Sequence, residues 1–295
     1  MRRIHFAILL ASTSFIIAGC ANKKEKASKP IIMVSIQPLK YFVDRIADST
    51  IQVKVMVPPG SSPEMFEPTP RQMAELSQAK AYFAIGLLDF EMGMQQKLAD
   101  NAQFKYVNLS QGVDLIKGEC HHEHGDEDAE GHHHAVDPHI WMSTVNAKVM
   151  ANSIVKNLTM LFPDKEKVFS ENLSSFLQEI DSIDQAIRSI VEKSGRKSFI
   201  IYHPALSYFA RDFGLTQLSI EHEGKSPSAK GVMEVVEHCR NEGITTILSQ
   251  SQFDTHNSQT IANEIGGTVI KVDPLQENWA NSMIHIANAI AGNRK

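Results

Sequence analysis

The sequence predicts an α/β protein of two lobes, each built from parallel-sheet α/β units, joined by one long rigid helix. Three observations predict it. Short apolar runs bounded by Pro, Gly, Asn and Asp alternate with helical patterns from residue 30 onward, as in βαβ units. The runs are apolar throughout, as strands covered on both faces are. The alternation is interrupted by a helical pattern from Asp164 to about Lys193 with no strand inside it.

In order, residues 31–36 read as a buried strand and 38–47 as a helix. Residues 51–57 form a second strand, ended by Pro58-Pro59-Gly60. A helix fits 70–78, a strand 81–85 and another strand 104–108. Residues 143–162 are helical and are punctuated by Phe162-Pro163-Asp164. The long pattern follows, with Val168, Leu173, Phe176, Leu177, Ile180, Ile183, Ile187, Ile190 and Val191 at helical spacing until Ser194-Gly195 stops it. At ~1.5 Å per residue such a helix spans roughly 45 Å, enough to cross two lobes. Strands are then expected over 198–202, 216–220, 245–249 and 268–272, and helices over 206–213, 228–242, 258–265 and 279–291. The two lobes show no close sequence repeat.

The first residues are a processing signal. Met1-Arg2-Arg3 is cationic and 6–17 is apolar but too short to span a bilayer. Ile17-Ala18-Gly19-Cys20 matches a bacterial lipobox, which implies cleavage before a lipid-bearing Cys20. The expected organisation is a lipoprotein signal peptide at 1–19, a tether at 20–29, a first lobe at 30–163, the linking helix at 164–194 and a second lobe at 195–295. Contact with the membrane is expected only through the lipid. The location is then exported, in the periplasm or on the cell surface.

Composition narrows the partners. The 295 residues carry a formal charge of −5, and loss of 1–19 leaves 27 basic against 34 acidic residues, a net −7. With no basic patch, nucleic acid is excluded as a partner. Three cysteines cannot build a disulfide framework. Cys239 shares an apolar helix face with Val232, Val235 and Val236 and reads as core, whereas Trp141 and Trp279 read as packing anchors.

The 13 histidines are the anomaly, since seven of them fall between His121 and His139. Glu119 to His139 reads ECHHEHGDEDAEGHHHAVDPH, with seven carboxylates as well, and no Lys or Arg occurs between Lys117 and Lys148. Imidazole suits borderline divalent metals such as zinc, and the carboxylates attract the cation. With Gly125, Gly131 and little apolar content, 119–136 cannot bury itself. It is read as an exposed accessory metal-collecting loop whose ligands are His121, His122, His124, His132, His133 and His134; Cys120 could join them.

Four further segments place ligand-type side chains just after expected strands, where an interlobe cleft would lie. They are Pro59 to Pro70 (PGSSPEMFEPTP), Asp137-Pro138-His139-Ile140-Trp141, Tyr202-His203-Pro204-Ala205 and Val272-Asp273-Pro274-Leu275. His222 follows a strand and could border the cleft, while His238 and His285 read as peripheral.

Together these segments resemble the zinc-type solute-binding lipoproteins of bacterial ABC metal importers, the cluster A-I metal-binding family, across nearly all of the mature chain. The resemblance implies two α/β lobes bridged by a rigid helix with one metal between them. It implies His139 and His203 as two ligands and Asp273 as a carboxylate ligand. Glu64 stands where the family usually has histidine, with Glu67 as the fallback, which makes the donor set harder and weakens discrimination against manganese or iron. Zn2+ is the implied cargo, ahead of Mn2+ or Fe2+, and the implied partner is an ABC permease in the inner membrane, served by a monomer. A manganese or iron receptor of the same family, or a metal buffer or adhesin without transport, is the alternative. An enzyme is not expected: the sequence has no HExxH helix, P-loop or convincing nucleophile elbow. Because imidazole binds metal only when neutral, affinity is expected to fall below about pH 6.

Overall fold

A computed structural model of the chain describes residues 29–98, 104–117, 136–221, 226–253 and 255–293. The signal peptide, Cys20, Cys120, the six loop histidines and His222 lie outside the described residues.

The first lobe runs β1 (Ile31–Val34), α1 (Gln37–Ala47), β2 (Gln52–Val55), α2 (Pro70–Leu76), β3 (Ala81–Ala84), α3 (Asp89–Leu98), β4 (Lys105–Asn108) and α4 (Thr144–Leu161). Then comes α5 (Glu166–Ser194), followed by β5 (Ser198–Ile201), α6 (Ser207–Phe213), β6 (Thr216–Ser219), α7 (Ala229–Glu242), β7 (Thr246–Gln250), α8 (His256–Glu264), β8 (Thr268–Val272) and α9 (Trp279–Ile290). Both sheets have four strands, all pairs parallel, in the orders β2-β1-β3-β4 and β6-β5-β7-β8. The second order is the first shifted by four strands. The lobes thus share one topology without a close sequence repeat, and each has its strand-order reversal beside its first strand, where α/β sheets open a crevice.

Local signals set the helix ends. Thr69 caps α2 in a reciprocal box with Gln72, and Pro70 occupies the first turn, where its missing N–H costs nothing. Ser143 caps α4 by accepting from the Asn146 N–H. Gly195 ends α5 in the left-handed region at φ 65°, a conformation that costs other residues about 1–2 kcal/mol.

The α5 helix buries Phe169, Phe176, Ile180, Ile183, Ile187 and Val191 on one stripe. That stripe lies against α1 and α4 of the first lobe and α6 and α9 of the second. One continuous core therefore runs from Ile32 through α5 to Ile290. At its centre the Phe42 and Trp279 rings meet edge-on with centroids 5.1 Å apart. The Trp279 Nε1–H donates to the Trp141 carbonyl at 2.7 Å, and the Trp141 Nε1–H donates to the Pro274 carbonyl at 2.9 Å. Both indoles are fully buried, each contributing on the order of 5 kcal/mol of gross apolar burial. The lobes share a core, which restrains them from swinging apart as separate bodies. Among the described residues, no helix is long and apolar enough to cross a membrane.

Candidate metal centre

Three of the expected ligands converge. Glu64 sits in a single 3-10 turn, Pro63–Met65, beyond β2. His139 precedes a similar turn, Ile140–Met142, just before α4. His203 lies two residues beyond the end of β5. The His139 and His203 Nε2 atoms are 3.4 Å apart. Glu64 Oε2 is 3.2 Å from His203 Nε2, and Glu64 Oε1 is 3.7 Å from His139 Nε2. Among the described residues, these three form the group able to share one ion. Zinc bonds of about 2.05 Å in a tetrahedron put neighbouring donors ~3.3 Å apart. The observed spacings bracket that value, so the N2O donor set fits a tetrahedral cation with one position to spare.

The histidines are nearly buried, at 5% exposure for His139 and 8% for His203, whereas Glu64 forms the more open side. The space between them is about 20 Å³, bordered by Trp141, Phe253, Pro274 and Leu275. That is room for one ion or water. Phe253 stacks on the His203 ring with centroids 4.8 Å apart and planes 20° apart. Gln250 clamps the His203 backbone by accepting its N–H and donating to its carbonyl at 2.6 Å.

Behind each imidazole stands a carboxylate. Asp137 Oδ1 is 2.9 Å from both the backbone nitrogen and Nδ1 of His139. Glu221 Oε1 is 3.4 Å from His203 Nδ1. Burial alone would lower the His203 pKa, but Glu221 and Glu64 outweigh it and raise it to about 9. Burial would raise Glu64 and Asp137, yet the facing imidazoles hold both carboxyls below their ordinary values.

Asp273 is not brought into the group. Its Oδ1 accepts from the Leu275 N–H and from Gln252 Nε2, each at 3.0 Å. The side chain closes its own turn and borders a separate cavity of about 170 Å³ between the Pro58–Gly60 loop and Gln276–Glu277. Its neighbours Pro274 and Leu275 do border the metal cavity. Glu67 is exposed and outside the group, so of the two glutamates the structure brings in Glu64. Cys239 is buried as expected, with its thiol pushed up to about 11 by that burial. His285 is peripheral, donating to the Lys271 carbonyl at 2.9 Å. His238, expected on the wet face, is half-buried instead.

Sequence reasoning missed the roles of Asp137 and Glu221. The first was legible, since a carboxylate two residues before a ligand histidine can reach its Nδ1. The second depends on the lateral pairing of β5 with β6.

The family model for the periplasmic component A of the zinc-uptake complex, ZnuA, matches residues 32–293. The chain belongs to the ZnuA family. It is 28% identical over 279 residues to the zinc-binding lipoprotein AdcA of Streptococcus pneumoniae R6, covering 92% of this chain and 55% of AdcA. The chain thus spans about half the length of that relative. It is 25% identical over 278 residues to the high-affinity zinc uptake system protein ZnuA of Bacillus subtilis, covering 91% and 87%. A crystal structure of ZnuA superposes with TM-score 0.81 at 35% identity, over 90% of this chain and 99% of that one. A ZnuA deletion mutant with zinc bound gives 0.79 at the same identity, over 90% and 97%. The ZnuA family is a solute-binding transport family, and its architecture of two lobes joined by a long helix is the one seen here.

Proposed function

We propose that this chain is the extracytoplasmic zinc-capturing component of an ABC importer, which holds one zinc ion between its lobes and hands it to a membrane permease. The convergence of Glu64, His139 and His203 within ligand distance of one another carries the reading. The zinc-bound ZnuA relative supports the choice of metal. In this proposal Asp273 supplies the fourth donor once its turn releases Gln252, and a set of protein ligands that fills zinc's four positions leaves no open one for a catalytic water. The protein is then a carrier and not an enzyme. It acts as a monomer tethered through lipid on Cys20, with the loop histidines as an accessory collection site.

The carboxylate at Glu64 favours a second reading, a receptor for manganese or iron, because an oxygen donor replaces an imidazole. Competition against a chromophoric chelator decides. Zinc is expected to bind the parent tightly with one high-affinity equivalent, and H139A or H203A to lose that equivalent. Unchanged zinc affinity in H203A would sink the assigned site, and a preference for manganese in direct competition would favour the second reading.

A further inference from the structure

Glu221 is 5% exposed and takes no part in the ligand group. A buried carboxylate is expensive unless something needs its charge. Its place is fixed by the sheet. Strands β5 and β6 pair in parallel with Ile201 opposite Ser219, and the ladder continues as the Ile220 N–H donates to the Ile201 carbonyl and the Glu221 N–H to the Tyr202 carbonyl, both at 2.9 Å. Two residues beyond that register, Glu221 lies beside His203.

The contact is at Nδ1, the ring nitrogen away from the Glu64 and His139 donors. A carboxylate there cannot share an ion held at Nε2. It can accept a hydrogen bond from Nδ1–H, which leaves the Nε2 lone pair free for metal and fixes the ring against rotation. The other lobe repeats the device by a different route, with Asp137 accepting at Nδ1 of His139 from two residues upstream.

We infer that Glu221 is the positioning residue of His203, selecting the tautomer and ring orientation in which Nε2 faces the cation. The inference rests on the zinc-carrier reading for the meaning of that orientation. The geometric part is independent of it and can be tested without metal.

The test uses the full chain and two variants, E221Q and E221L. Zinc affinity is read by chelator competition, and the His203 tautomer by two-bond 15N–1H correlation in metal-free protein at about pH 10, where the imidazole is neutral. Because Glu64 offers a competing acceptor 3.2 Å from Nε2, the tautomer is read in an E64A background, where the proton is expected on Nδ1 while Glu221 is present. E221L should shift it toward Nε2 and weaken zinc binding about 10- to 100-fold. E221Q keeps an acceptor oxygen in the same volume and should restore the Nδ1 tautomer and most of the affinity. Equal losses in the two variants would show a role in charge alone, and a parental tautomer in E221L would show none; either overturns the inference. If E221L does not fold, E221A takes its place with the same expected shift and loss, and a parental tautomer in E221A overturns the inference. Failure of the carrier reading looks different, since H203A would then leave zinc binding intact whatever the tautomer.

Discussion

The Nε2 atoms of His139 and His203 face each other at 3.4 Å although they belong to opposite lobes and are 64 residues apart in sequence. The shared core behind them supports that approach from both lobes. The Glu64 carboxylate held this close to His203 favours the protonated imidazole.

The pH dependence of binding follows. His203, pushed up to about 9, is protonated at neutral pH in the metal-free protein, and zinc must displace that proton. Apparent affinity is expected to fall about tenfold per pH unit below 9, close to 100-fold by pH 7. The onset is then expected above the pH 6 of an unperturbed imidazole. Stability of the metal-free fold runs the opposite way. A histidine raised from 6.5 contributes fully below pH 6.5 and loses that contribution as pH rises through 9. Chelator competition and metal-free thermal melts between pH 6 and 10 check both signs. A flat affinity profile over that range would refute the coupling.

Asp273 gives a graded prediction. Bringing its carboxylate to the metal breaks two hydrogen bonds of ordinary length, a cost of about 1 kcal/mol each, offset by attraction to the cation. D273N keeps an acceptor oxygen for the Leu275 N–H and removes the charge. It is expected to weaken zinc binding about tenfold, well short of the loss in H203A. Parental affinity in D273N would remove Asp273 from the ligand set.

What the sequence made legible was what local pattern controls. Apolar runs and caps placed the strands and most helices within two or three residues, because Pro70, Ser143 and Gly195 act on their own neighbours. Helix α3 escaped notice because DFEMGMQQKL has Gly93 inside it and a polar residue, Glu91, on its buried side. That carboxylate accepts from the backbone of Ile85 and Gly86 and from Ser35 Oγ, partners that only the folded lobe supplies. The centre divides in the same way. Glu64, His139 and His203 stand in recognisable strand-end motifs, whereas Glu221 enters through lateral register and Asp273 is held back by Gln252 from a different loop.

Trp279 joins the lobes by packing and by one buried hydrogen bond. W279F keeps most of the ring contact with Phe42 but leaves the Trp141 carbonyl unpaired and a gap where the indole was. It is expected to destabilise the metal-free protein by about 2–4 kcal/mol. Because Trp141 lies two residues from His139, zinc affinity should fall as well. Denaturant unfolding and chelator competition on the same preparation check the pair of effects; a stability loss under about 0.5 kcal/mol would mean the seam is not carried by this residue.

The residues that flank the histidine-rich segment meet each other. Lys117 and Val136 form an antiparallel bridge, and the Asp137 N–H donates to the Ile116 carbonyl at 3.0 Å. Tyr208 of the second lobe braces the same point, its hydroxyl accepting from the Ile116 N–H and donating to the Asp137 carbonyl. Asp137 in turn orients His139, so the residues at the base of the segment support the ligand. Deleting residues 120–134 leaves those flanking residues in place, and shortening a chain connection costs little in closure entropy. The variant is expected to keep its one tight zinc equivalent with parental affinity and to lose the weaker equivalents that the six histidines would supply. Isothermal titration with zinc separates the two classes. Loss of the tight equivalent would place a true ligand inside the segment and overturn the division between centre and accessory loop.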